Sequence, residues 1–281
     1  MQKVLLGLIL MFAISAEGKE WYLPFTVSGK KLLVNTNAPP TPPAPWTPAE
    51  ISTVLWFDAA DASTITEAAG LVSQWDDKSG NNYDATQGSD SLKPETGLRT
   101  INGTNVLDFV NDNLGLSVTE TNAQFSICLI FSADSLATFG AFLNSDSYPE
   151  GATHTQTEGT DHINNAVSGR VPEEVLSGTV ATNTAYMYIS TDDNTNVVGW
   201  LNGNGNTTNS ITLPVDKIIG DANIGSWSAI RRYDGVIGEI IVLDETGTTN
   251  RQLIEGYLAW KWGLQGSLPS GHPYKSARPV L

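Results

Sequence analysis

Carboxylates come first among the residues that could do chemistry. The stretch "FDAADAS" carries Asp58 and Asp61, and "QWDDKSGNNYD" carries Asp76 and Asp77, with Asn81 and Asp84 close behind. Loop-borne oxygen donors of this kind suit Ca²⁺. Asp, Asn and Gly are equally the residues of tight turns, bonding to their own backbone. Calcium is therefore an option offered by Asp58, Asp61, Asp76 and Asp77, and no cofactor is required. A second carboxylate chemistry is glycoside cleavage, where an acid and a nucleophile share one strand face. In "GEIIVLDE" Glu239, Ile241 and Leu243 fall on one face and Asp244 on the other, so the pair is missing. No G-x-S-x-G, H-E-x-x-H, phosphate-loop or dinucleotide fingerprint occurs. His154 and His162 lie eight apart in a polar stretch without a third ligand at zinc spacing. The sequence predicts a protein that is not an enzyme.

Sugar recognition needs aromatic faces beside polar groups. Trp227 in "IGSWSAIRRYDG" stands near Arg231 and Tyr233, and Tyr148 lies in "NSDSYPEGATH". These four are the candidate ligand contacts. Tyr148 belongs to the polar region 144–170, which reads as a long loop able to set specificity. A denser group of rings, "GYLAWKWGLQGSLPSGHPYK" (256–275), has a different explanation. Leu253, Tyr257 and Trp260, like Ile254, Leu258 and Trp262, recur at helical spacing. Thr249 with Gln252 resembles a capping box, Gly263 is placed as a C-terminal cap, and Pro269 bars continuation. The spacing predicts a helix lying on the body with its rings inward, and a hydrogen-bonded structural role for His272.

The elements that must position these residues are β-strands. "STVLWFDA", "TNVLDFV", "LGLSV", "FSICLIFSAD", "FGAFLNS", "AYMYIST", "NVVGWLNG", "KIIGDAN" and "VIGEIIVLD" are short and separated by turn residues. Ten or so strands without a long intervening helix indicate an all-β, two-sheet antiparallel sandwich. "FSICLIFSAD" is apolar throughout and should be central, with the lone Cys128 a small buried hydrophobe. One cysteine excludes an intrachain disulfide.

Charge and the N-terminal region bound the rest. Of the formal charge of −15, residues 1–35 carry +2, residues 36–230 carry −18 and residues 231–281 carry +1. Such an acidic body repels phosphate backbones, so nucleic acid is excluded as a partner. Residues 4–16 are an apolar run of 13, short of the roughly 20 needed to span a bilayer. It fits the core of a signal peptide, or an anchor packed inside a larger assembly. "EWYLPFTVSGKKLLVNT" reads as a β-hairpin about Ser28-Gly29. Six prolines between 39 and 48 favour an extended spacer. The predicted organisation is an N-terminal anchor (1–36), a proline-rich linker (37–48) and one sandwich domain (49–281).

Five pieces in order resemble a known family. "VLWFDAADASTIT" followed by "VSQWDDKSGNNYDATQ", then "TNVLDFVNDNLGLS", is similar to the opening of the laminin-G-like, concanavalin A-like jelly roll. "GWLNGNGNTTNSITLPVDKIIGDANIGSWSAIRRYDGVIGEIIVLD" resembles its later strands, and "RQLIEGYLAWKWGLQGSLPSGHPYK" its closing helix and tail. The resemblance covers about residues 47–279 and is to the form found in phage virion and marine-bacterial surface proteins. It implies a jelly-roll sandwich with one C-terminal helix. It also implies a virion surface protein (fibre, tail or decoration) whose sandwich binds host-surface glycans. In that setting residues 1–36 would dock on other virion proteins and the chain would form a homo-oligomer. The alternative is an exported bacterial carbohydrate-binding or adhesive protein, extracellular or at the cell surface, with residues 1–16 removed. The fold itself serves lectins, glycosidases and inert spacers alike.

Overall fold

In the computed structural model the described residues are 42–136, 140–145, 153–158, 162–167, 174–205, 208–213, 216–227 and 231–281, with the short ladder Thr26–Val27 and Lys30–Lys31. The chain divides into two units, Met1–Pro43 and Ala44–Leu281. In the first, Thr26 pairs with Lys31 and Val27 with Lys30 in an antiparallel ladder. The apolar run 4–16 and the rest of the expected anchor lie outside the described residues. Residues 45–48, assigned to the linker by composition, are built into the second unit. Pro45 bridges Val280, Trp46 is buried, and Pro48 starts a 3-10 turn.

Alternation along one strand explains the architecture. In Phe125–Ala133 all nine residues are buried. Ile127, Leu129 and Phe131 point into one apolar cluster, while Cys128 and Ile130 point into another. Successive side chains leave a strand on opposite faces, so this strand is covered on both sides. The same split holds in Asp234–Leu243, where Ile240 and Val242 face one cluster and Ile241 and Leu243 the other. The first layer runs Asn196–Leu201, Tyr186–Asp192, Phe125–Ala133, Asp234–Leu243, all antiparallel. Beyond Asp234–Leu243, Thr104–Val110 and Thr53–Asp58 pair with its two halves. The second layer runs Glu174–Thr179, His162–Val167, Thr153–Glu158, Ala141–Ser145, Lys217–Ile224, Leu114–Asn122, then short strands to Leu71–Trp75. The main core between the layers includes Phe57 against Trp75, and Phe131, Phe142 and Tyr233 in sequence. The fold is a jelly-roll β-sandwich.

The second cluster lies between the first layer and helix α1 (Thr248–Lys261). Ile254, Leu258 and Trp262 are buried, and Leu253, Tyr257 and Trp260 are half-buried. Burying an indole such as that of Trp262 stabilises by about 3 kcal/mol or more. Gly263 takes φ +67 just past the helix, the left-handed cap that glycine adopts at little cost. The expected capping box does not form. The helix begins at Thr248 with Gly247 as its N-cap, so Thr249 sits inside the first turn. The side chain of Asn250 instead donates to Glu245, tying the preceding turn.

The polar region 144–170 also departs from expectation. Thr153–Glu158 and His162–Val167 are paired strands rather than loop. Thr153, Thr155 and Thr157 alternate with His154, Gln156 and Glu158, a period of two that composition obscured.

Candidate functional site

Under α1 the carboxylates are tied to internal partners. Glu239 is fully buried. Its Oε1 accepts from Trp56 Nε1 at 2.8 Å and the Tyr257 hydroxyl at 2.9 Å. Its Oε2 accepts from Lys261 Nζ and Trp262 Nε1, each at 2.7 Å. Lys261 also reaches Asp58, which with Asp61 holds Lys78 at 2.9 and 2.7 Å. The result is one alternating chain, Asp61–Lys78–Asp58–Lys261–Glu239. Burial raises the Glu239 carboxyl above its ordinary value, with the Lys261 charge pulling the other way. Burial and the adjacent Glu239 also push the Tyr257 phenol up. Hydrogen bonds from Lys78 and Ser63 hold Asp61 down at about 2.

The residues offered to calcium are therefore met by other partners. Asp58 and Asp61 face ammonium groups. Asp77 accepts from the backbone amides of Trp56, Ser79 and Tyr83 and from the Ser79 hydroxyl, which makes it the organiser of its loop. Asp76 accepts from Gln74. Among the described residues no three His, Cys, Asp or Glu side chains converge as a metal site. A second buried group joins Arg251, Glu255 and His272, with His272 Nε2 2.8 Å from Glu255 Oε2. The Arg251 guanidinium lies over Trp200, 3.5 Å from the ring centroid. His272 thus has the structural role that its sequence context suggested.

The outer face of the second layer has the opposite character. Leu143 pairs with Ile224, and both turn into the core. Their neighbours Asn144 and Asn223, also paired, therefore turn outward. Gln156 follows the inward Thr155 and lies on the same outer face. Gln87 Nε2 donates to Asn113, and Asn113 Nδ2 donates to Asn223 Oδ1 at 3.2 Å. Gly115 leaves room for Asn223, whose Oδ1 would lie 3.4 Å from a Cβ there. Asn144 Oδ1 accepts the Thr155 amide at 2.9 Å. Its Nδ2 is buried and has no hydrogen-bond partner, and neither has Ser226 Oγ. Arg231, half-buried like Trp227, joins this group through Gln156. The guanidinium lies 4.5 Å from the Trp227 ring centroid and donates to Gln156 Oε1 at 3.3 Å.

Of the four predicted ligand contacts, the structure brings Trp227 and Arg231 together. Tyr233 is a core residue: its ring packs 4.6 Å from that of Phe142, and its hydroxyl donates to the Val236 carbonyl. A ring closed into the core offers no face to a sugar. Its neighbour in sequence, Arg232, is half-buried and donates to the Asn111 carbonyl instead. Tyr148 lies outside the described residues. Sequence reading missed Asn144, Gln156 and Asn223, whose only signal was polar residues inside otherwise strand-like segments.

Comparison with solved structures places the fold. The botulinum neurotoxin serotype D ligand-binding domain, in complex with N-acetylneuraminic acid, matches with TM-score 0.52 and 14% identity over 73% of this chain and 50% of that one. Domain 4 of a GH43 extracellular arabinanase from Geobacillus stearothermophilus, in complex with arabinotriose, matches with TM-score 0.51 and 14% identity, covering 68% of this chain and 91% of that one. The botulinum neurotoxin serotype G binding domain gives 0.53 and 13%, over 76% and 52%. The match spans about half the length of the neurotoxin domains. No protein-family model and no curated protein matches the sequence. At these identities the likeness defines the architecture, an antiparallel β-sandwich of jelly-roll type.

Proposed function

We propose that the Ala44–Leu281 sandwich is a non-catalytic glycan-binding module that takes its ligand at the Trp227–Arg231 rim. The carrying observation is the half-buried indole of Trp227 with the Arg231 guanidinium 4.5 Å from its ring centroid, beside polar side chains of the second layer. A sugar presents C–H faces to a ring and hydroxyls to amides, which this combination suits. The arabinanase domain and the serotype D neurotoxin domain, each solved with a carbohydrate, lend support. Glu239, the carboxylate best placed by sequence for cleavage, is enclosed by four donors, which favours binding over catalysis. No cofactor is needed in this reading.

The finer reading is display on a virion surface, through residues 1–36 and the proline segment, in a homo-oligomer that multiplies weak contacts. It rests on the laminin-G-like resemblance. The alternative, an exported bacterial adhesive protein, rests on the signal-like run 4–16. The N-terminal peptide of the native protein, read by mass spectrometry from purified particles and from culture supernatant, separates the two. A chain retaining residues 1–16 in particles supports display. A chain starting at Glu17, confined to the supernatant, overturns it.

Binding itself is tested on an array of neutral and acidic glycans, with and without EDTA. The wild type should retain a defined set of glycans in EDTA. Trp227→Ala should weaken them at least tenfold, about 1.4 kcal/mol. A folded wild type that binds nothing, or a Trp227→Ala variant that binds normally, overturns the assignment.

A further inference from the structure

A second concavity lies on the opposite side of the sandwich, beside α1. Residues 44–46 run antiparallel to residues 279–281: Trp46 N donates to Pro279 O at 3.2 Å and Leu281 N to Ala44 O at 2.9 Å. Between this pair and the helix is a groove of about 290 Å³, lined chiefly by Trp46, Tyr257, Trp260, Lys261, Arg278 and Pro279. That volume is at the small end of ligand pockets, enough for one ring rather than an extended chain.

Its rings are held in place from behind. Tyr257 is pinned by its hydroxyl on Glu239, and Trp260 by Nε1 on the Tyr274 carbonyl at 2.8 Å. Trp46 meets Tyr257 edge-on, with centroids 6.2 Å apart. Tyr257 and Trp260 keep half-exposed surface in the groove. Such fixed rings lose little freedom when a ligand stacks on them. The two cations differ. Lys261 is already neutralised by Asp58 and Glu239. Arg278 is exposed and makes no ion pair among the described residues.

We propose that this groove is a second binding site, for a sugar residue that carries a single carboxylate. The pyranose face stacks on Tyr257 and Trp260, and the carboxylate meets the Arg278 fork, whose geometry suits a planar anion. The charge of −15 on the chain disfavours a polyanion, because repulsion by the body grows with every added negative group. One acidic residue on an otherwise neutral glycan fits both the groove and the field. This site uses none of the residues of the Trp227 rim and stands whether or not that rim binds sugar.

The test titrates the full-length protein with 3′-sialyllactose and with lactose, followed by tryptophan fluorescence and calorimetry. The acidic sugar should bind about tenfold or more tightly than lactose, as expected for one charge-assisted contact. Arg278→Gln should erase that preference and Arg278→Lys should restore part of it. Equal affinity for the two sugars, no saturable binding of either, or an unaltered preference in Arg278→Gln overturns the proposal. A hexapeptide bearing one glutamate that competes as well as sialyllactose also overturns it, since the groove would then be a peptide site. Loss of the preference in Trp227→Ala alone would move the acidic-sugar site to the rim and overturn the groove assignment.

Discussion

The two outer faces of the sandwich solve the same packing problem in opposite ways. Under α1, Glu239 meets four donors and the lysines alternate with carboxylates from Asp61 to Glu239. On the second layer, Asn144 and Ser226 keep buried polar atoms without partners. A satisfied buried network resists disruption, because removing one member strands the others in a poor solvent. A buried donor without a partner instead costs stability until something supplies the missing bond. On the helix side the charged network is closed and Gln265 Oε1 is left buried without a partner, whereas the second layer leaves Asn144 Nδ2 and Ser226 Oγ unpaired among its own amides.

Substitutions can break this contrast. The largest effect is expected from Glu239→Ala, which leaves Lys261 and two indole N–H groups facing a cavity. It should destabilise the protein by about 3–5 kcal/mol in urea unfolding. A loss below about 1 kcal/mol would mean that the network contributes little to holding the helix. Next comes Gly238→Ala. A Cβ at this position would lie 2.7 Å from Trp262 and 2.9 Å from Ile130. Overpacking there should cost about 1–3 kcal/mol, and an unchanged unfolding midpoint would show that the helix seat is soft. On the amide side, Ser226→Ala removes a buried hydroxyl that has no partner. Its stability should stay within about 1 kcal/mol of wild type, on the stabilising side. A clear destabilisation would show that the hydroxyl is bonded in solution and would erase the contrast.

The smallest effect concerns acid. Asp61 has its folded pKa depressed from 3.8 to about 2, chiefly by the Lys78 hydrogen bond. Its contribution is therefore present above about pH 4 and is lost as pH falls toward 2. Asp61 is partly exposed, so solvent screening keeps the effect modest. Asp61→Asn should be slightly less stable than wild type at pH 6, and the difference should shrink by pH 2.5. A constant difference across that range would show that the Lys78 pairing is not what Asp61 contributes.

Much of the scaffold was legible in residue order because its causes are local. Nine consecutive buried positions in "FSICLIFSA" mark a strand covered on both faces. Asn102-Gly103 and Asn202-Gly203 adopt positive φ at their turns, as an Asn-Gly hairpin requires. Gly263 ends the helix, and Ile254, Leu258 and Trp262 face the sheet, all readable from spacing. The alternating threonines of "THTQTE" were readable too, but polar composition suggested a loop.

Partner choice was not local. Trp56 and Glu239 are 183 positions apart, and Lys261 reaches Asp58 across 203. Nothing in the order of residues says that the acidic turns offered to calcium would close on lysines. Trp227 and Tyr233 looked alike as candidate contacts. Packing against Phe142 placed Tyr233 in the core, while Trp227 stayed half-buried against Arg231. By itself the sequence determined the strands, the turns, the helix and the acidic field, since each follows from periodicity, backbone preference or summed charge. Only the tertiary structure decided which polar groups are paired and which remain available, because hydrogen bonds and ion pairs depend on distances that strand register sets between remote segments.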